Sequence, residues 1–163
     1  MDPGTEVETM DVDSHSQIAD APLRAWLIAV VAEATGTFLM VFVGAGAIIL
    51  DRTWSGALGG TGIGIAFGIG VFTAIYLFVR ISGAHINPAV TFALTMLGRF
   101  PTTMVAPYWF AQLLGATAAA ICLTAIPGVS GDVGPTLPSN SAAESLFVEV
   151  AITFTLMIVI AVV

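Results

Sequence analysis

The few polar side chains that could do chemistry in this 163-residue sequence are scattered through apolar runs. Glu33 and Glu149 each interrupt a long apolar stretch, and Gln112 interrupts a third. A carboxylate at membrane depth is costly and usually faces the interior of a bundle. Glu33, about a third of the way along its run, fits either a position near the membrane interface or a buried acceptor for the N–H groups of a non-helical loop. Two intramembrane acids also suggest a proton relay. A lone glutamine in a span is usually a helix-packing hydrogen bonder. The sequence shows no nucleophile–base pair, metal cluster or phosphate loop, so it does not read as an enzyme and calls for no cofactor or metal.

The densest polar interruption is Ile81-Ser82-Gly83-Ala84-His85-Ile86-Asn87-Pro88-Ala89-Val90. Asn87 is a favoured N-cap, its side-chain oxygen able to accept an orphan N–H of the first turn. Pro88 then takes the first helical position, where its missing N–H is harmless and its φ already helical. The apolar residues that follow, 90–97, are too few to cross a bilayer. Ser82, Gly83 and Ala84 are small and suit an extended segment with exposed carbonyls. Extended strand, cap and half-length helix is therefore the expected order. Broken backbone of this kind is tolerated at membrane depth only inside protein or beside a wet cavity. His85, alone in such a loop, reads first as a structural hydrogen bonder.

Four apolar spans surround this break, at about 25–50, 61–80, 102–126 and 142–163, with the loop and half-helix over 81–98. Hydrophobic residues make up 57% of the chain and charged residues 9%. Soluble domains carry about 25% charged residues, so the composition specifies an integral, all-α membrane protein. Gly60-Thr61-Gly62-Ile63-Gly64 lacks a preceding strand and opens an apolar span. It fits close helix packing through Gly64 and Gly68 better than dinucleotide binding. Phe67, on residue type alone, is a packing or lipid-facing side chain. Cys122 lies in an apolar run and, as the single cysteine, forms no intrachain disulfide.

The string Ser82-Gly83-Ala84-His85-Ile86-Asn87-Pro88-Ala89-Val90-Thr91, set between two apolar spans, resembles the first Asn-Pro-Ala box of the aquaporin (major intrinsic protein) family. The resemblance implies an aquaporin-like helical bundle and a passive channel for water or a small neutral solute such as glycerol. It implies that Phe67, twenty residues before Asn87, forms one wall of the constriction. Gln112 would support the loop, and Glu33 and Glu149 would brace the two pore loops rather than relay protons. The resemblance further implies homotetramers in a cell membrane. Physically, the carbonyls of Gly83, Ala84, His85 and Ile86 would offer acceptors along one wall, leading to Asn87, Pro88 and Ala89. If the Asn87 oxygen caps the half-helix, its NH₂ is left to donate into the lumen. The positive end of the half-helix dipole there disfavours cations and hydronium.

Six of the eleven acids (Asp2, Glu6, Glu8, Asp11, Asp13, Asp20) fall in the first twenty residues. Residues 1–21 therefore read as a disordered, solvated tail, and this negative start is not that of a signal peptide. Arg24, Arg80 and Arg99 fall on one side of the predicted topology and Arg52 on the other, which places the N-terminus in the cytoplasm. With no lysine and no basic patch, nucleic-acid binding is excluded. The chain stops in its fourth span without a second Asn-Pro-Ala box. The bundle is thus expected to be incomplete, a truncated portion whose alternative role is a non-conducting membrane fragment.

Overall fold

The computed structural model describes residues 23–126 and 141–162. The expectations for the acidic segment 1–21 and for most of the Gly/Pro/Ser-rich loop 127–141 lie outside the described residues. Five α-helices follow in order: α1 Leu23–Thr53, α2 Gly59–Ser82, α3 Pro88–Met96, α4 Val105–Thr124 and α5 Ala142–Val162, with a 3₁₀ turn at Thr102–Met104 before α4. No strand occurs among the described residues. Four stretches are long and apolar enough to cross a membrane: α1, α2, α4 with its 3₁₀ turn, and α5. The α3 helix, at nine residues, is about 13 Å long, less than half of a roughly 30 Å hydrocarbon core.

Helix α1 is the central post, packing against both α2 and α4. Its buried positions are mostly small: Ala29, Ala32, Gly36, Thr37, Gly44, Ala45 and Ala47 among them. In lipid, where apolar burial gives helices little reason to associate, small residues allow close approach and dispersion contacts hold the pair. A Cβ at Gly115 of α4 would overlap the carbonyl oxygen of Ala34 on α1. On the α2 side, a Cβ at Gly70 would lie 3.2 Å from the Met40 Cα. The close α2 packing expected at Gly64 and Gly68 is not made among the described residues, where a Cβ added at either meets nothing within 4 Å. The contact runs through Gly70 and Ala74, whose mean direction, at about 100° per residue, lies roughly a third of a turn around the helix from that of Gly64 and Gly68.

The turn after α1 is closed by one carboxylate. Asp51 Oδ1 accepts the N–H groups of Leu58 at 2.9 Å and Gly59 at 2.7 Å. An anion is thus placed at the start of α2, where the helix dipole favours it. Helix α2 ends on Gly83, whose φ of 83° is left-handed and whose N–H returns to the Val79 carbonyl. Helix α5 has no buried residue and touches the described bundle mainly along α3. The Arg99 guanidinium also reaches it, donating to the Ala161 carbonyl at 2.7 Å.

Candidate functional site

The loop between α2 and α3 is built around the Glu33 carboxylate, which is fully buried on α1. Oε1 accepts the Ser82 hydroxyl at 2.7 Å and the His85 N–H at 2.9 Å. Oε2 accepts the Ile86 N–H at 2.7 Å and Gln112 Nε2 at 2.8 Å. Four donors occupy both carboxylate oxygens, which is how an ionised carboxylate is held away from water. The same saturation leaves no free lone pair to take up a proton in transit, so the geometry does not suit a relay.

The loop backbone departs from the extended segment expected. Gly83, Ala84 and Ile86 all have positive φ, at 83°, 48° and 44°. For Ala84 and Ile86 that region costs roughly 1–3 kcal/mol each. The cause lies in the acceptor. Presenting the consecutive N–H groups of His85 and Ile86 to one carboxylate requires a tight chain reversal, which a flat strand with alternating N–H directions cannot give. Ala84 N–H is also satisfied, by Ser82 Oγ at 3.1 Å. By contrast, the carbonyls of Gly83, Ala84, His85 and Ile86 accept no hydrogen bond among the described residues.

Side chains from α4 secure the loop from the other side. Tyr108 donates to the Ser82 carbonyl at 2.8 Å, and Trp109 Nε1 donates to the Pro88 carbonyl at 3.1 Å. Gln112 Nε2 lies within bonding distance of both Glu33 and, at 3.0 Å, Thr91 Oγ1. Thr91 gives its own hydrogen to the Asn87 carbonyl at 3.2 Å and lies 3.1 Å from His85 Nδ1. The His85 ring packs edge-on to Phe100 at 4.6 Å and to Tyr108 at 5.3 Å. A buried structural position follows. Ile86 in turn rests on Gly36, where a Cβ would come within 2.8 Å of Ile86 Cγ2.

Asn87 caps α3, its Oδ1 accepting the Ala89 N–H at 2.8 Å, with Pro88 at the first helical position. Pro88 and Ala89 are exposed. The structure thus gathers Glu33, Gln112 and residues 83–89 into one site. Phe67 lies apart from it, half-buried on α2, with its ring where a Cβ at Gly44 would overlap it. Glu149 is exposed on α5 and is not brought to the loop. Sequence inspection missed Tyr108, Thr91 and Trp109. The spacing of Tyr108 and Gln112, four residues apart and so on one helix face, was the available signal for the first.

A helical membrane bundle carrying a buried non-helical loop and an asparagine-capped half-helix defines a re-entrant, cavity-lining class of protein. Comparison with known proteins gives the family. Residues 23–163 match the model of the Major intrinsic protein family. The chain is 35% identical over 161 residues to Aquaporin NIP1-1 of Zea mays, covering 98% of the chain and 56% of that protein. It is 42% identical over 132 residues to Aquaporin NIP1-1 of Oryza sativa subsp. japonica, covering 80% and 46%. With Aquaporin NIP3-1 of Arabidopsis thaliana it shares 35% identity over 173 aligned residues, 96% of the chain and 54% of the relative. The chain belongs to the major intrinsic protein family and spans about half the length of these curated relatives.

Proposed function

We propose that the chain forms part of a passive transmembrane channel for water and small neutral solutes, with ions and protons excluded at the start of α3. The observation that carries this is the division of labour in the loop. The Ser82 hydroxyl and the N–H groups of His85 and Ile86 are tied to Glu33, and those of Gly83 and Ala84 to the Val79 carbonyl and Ser82 Oγ, while four successive carbonyls, Gly83–Ile86, have no hydrogen-bond partner among the described residues. A ladder of fixed acceptors replaces part of the hydration of a neutral hydrogen-bonding solute. At its end the Asn87 oxygen is committed to Ala89, which leaves the amide NH₂ to donate. The dipole of α3 makes the same point unfavourable for a cation. In this proposal Phe67 walls the constriction, and its seat over Gly44 suits a fixed wall. A bulky ring there favours water over larger solutes. The N-terminus faces the cytoplasm of a cell membrane by the arginine distribution, and the assembly is a homotetramer.

One observation favours a second reading, a non-conducting membrane protein. Pro88 and Ala89 are exposed and α5 buries no residue, so the described helices wall the pathway on one side only. Liposomes reconstituted with the 163-residue chain separate the two. Osmotic shrinkage faster than in empty liposomes, without dissipation of an imposed pH gradient, is expected of the channel. Shrinkage at the empty-liposome rate sinks self-sufficient conduction by this chain and favours the second reading.

A further inference from the structure

At the Arg24 end of the bundle, a cavity of about 540 Å³ lies between the start of α1, the end of α2 and the link from α3 to α4. Arg80 and Arg99 line it, and both are exposed. Arg99 gives one donor to the Ala161 carbonyl, and the Arg80 guanidinium has no partner among the described residues. No described carboxylate answers them. Glu33 is saturated by its four donors, Asp51 closes the turn at the other end of α1, and Glu144 and Glu149 sit in the first half of α5, whose last turn meets Arg99. The cavity floor is the apolar cluster of Ala29, Phe100, Met104 and Tyr108. Buried His85 packs edge-on to two of these rings. Its Nδ1 meets Thr91, whereas Nε2 has no partner among the described residues and lies beside Gly83, also in the lining. A second, apolar groove of about 530 Å³ shares Val79 and Arg80 with this cavity and continues along α2 past Ile75, Tyr76 and Phe72. The Phe72 and Tyr76 rings are exposed and stack at 6.1 Å.

We propose that cavity and groove together bind one anionic glycerophospholipid, with its phosphate between Arg80 and Arg99, its headgroup over His85 and an acyl chain along Tyr76 and Phe72. Guanidinium forks match phosphate oxygens in shape as well as charge. The headgroup reading also uses the free His85 nitrogen, because a glycerol hydroxyl both donates and accepts and so pairs with either form of that ring. The groove supplies the rest. Phe72, Tyr76 and Arg80 recur every four residues and share one helix face. They span about 12 Å along α2, within the roughly 15 Å that one leaflet contributes to the hydrocarbon core. An arginine at the helix end thus stands at the water interface with apolar surface directly beneath it. A soluble anion would use the arginines and leave the groove empty. A zwitterionic lipid would fill the groove but bring its own cation to the arginines. Only a ligand with both an anionic head and a chain uses the two features together. The site does not depend on the channel reading.

The test is native mass spectrometry of the whole 163-residue chain, stripped of lipid and then held in a neutral detergent with equal amounts of phosphatidylglycerol and phosphatidylcholine. One bound phosphatidylglycerol is expected, favoured over phosphatidylcholine by about tenfold or more, since each arginine near an anionic headgroup contributes a severalfold factor. The pair Arg80→Gln and Arg99→Gln should erase that preference. The pair Arg80→Lys and Arg99→Lys should keep part of it, because the charge survives and the fork does not. Arg52→Gln, the same loss of charge at the far end of α1, should leave it intact. Phe72→Ala with Tyr76→Ala should weaken both lipids and preserve their ratio. Equal retention of the two lipids by the parent chain overturns the proposal, as does a preference that Arg52→Gln lowers as far as the arginine pair does. Inorganic phosphate that displaces the bound lipid assigns the arginines to a soluble anion and overturns it too. Unchanged lipid retention in the Phe72 and Tyr76 double variant removes the acyl seat, and with it the composite site.

Discussion

Glu33 and Glu149 are the same residue in similarly apolar helices, yet their surroundings are opposite. Glu33 is buried at the centre of the bundle with four donors on its two oxygens. Glu149 is exposed on a helix that buries nothing. The difference teaches that an intramembrane carboxylate is defined by the donors facing it, not by its depth. Glu33 holds strained backbone because two main-chain N–H groups, one hydroxyl and one amide converge there. The left-handed conformations of Ala84 and Ile86 persist only because those bonds over-determine them. The same asymmetry sorts the loop itself, since the face toward Glu33 is satisfied and the carbonyl face is open.

The strongest way to break the comparison is Glu33→Leu. It strands the N–H groups of His85 and Ile86, the Ser82 hydroxyl and one Gln112 hydrogen, with each buried unsatisfied group costing about 1–3 kcal/mol. Partial rearrangement softens the sum, but a loss of at least about 3 kcal/mol is expected, read as a collapse in folded yield by size-exclusion chromatography in detergent. Next in size is Gly115→Val. The new Cβ overlaps the Ala34 carbonyl oxygen, and main chain cannot step aside as a side chain can. Overpacking of this sort costs typically 1–3 kcal/mol, and a thermal melt below that of the parent chain is expected. An unchanged melt would show that α4 does not approach α1 this closely. Smaller again is Tyr108→Phe, which removes the hydrogen bond to the Ser82 carbonyl and keeps the ring contacts with His85 and Phe100. Interhelical hydrogen bonds in membranes average about 0.6 and reach about 1.7 kcal/mol. Because Ser82 also binds Glu33, the loss should be non-additive with Glu33→Gln in a double-mutant cycle. Simple additivity would mean the two anchors hold the loop independently.

Much of this was legible in the chain, and the reason is local chemistry. Asn87-Pro88 announces a helix start through the cap and the fixed proline φ, and both appear at α3. Span existence follows from apolar length alone; the ends moved by a few residues, as when α1 ran on to Thr53 to meet the Asp51 turn. What sequence could not supply was the facing of residues across helices. Gly64 and Gly68 carry a packing pattern, yet the used face is that of Gly70 and Ala74, which only the partner helix selects. The left-handed loop was equally hidden, since Ala84 and Ile86 have no intrinsic preference for positive φ and adopt it to satisfy an acceptor some fifty residues earlier. Thr91, Tyr108 and Trp109 were missed for the same reason, as ordinary helix residues given roles by what lies opposite.

The smallest expected effect is the one that tests the comparison most directly. Glu149→Gln removes a charge from an exposed position on α5 that meets no donor among the described residues, so in this 163-residue chain it should change stability by no more than about 0.5 kcal/mol. A slight gain would also fit, because a carboxylate facing lipid is itself unfavourable. Glu33→Gln, the identical chemical change, replaces an acceptor oxygen by an NH₂ that confronts Ser82 and His85 or Ile86 and Gln112, and should be felt strongly. The two variants, melted side by side in the same detergent, hold residue type and isosteric change constant and vary only the donors. If Glu149→Gln lowered the melt as far as Glu33→Gln, the carboxylate of Glu149 would have donors of its own, from another copy of the chain or from residues outside those described. The contrast between the two acids would then be one of visible partners rather than of kind.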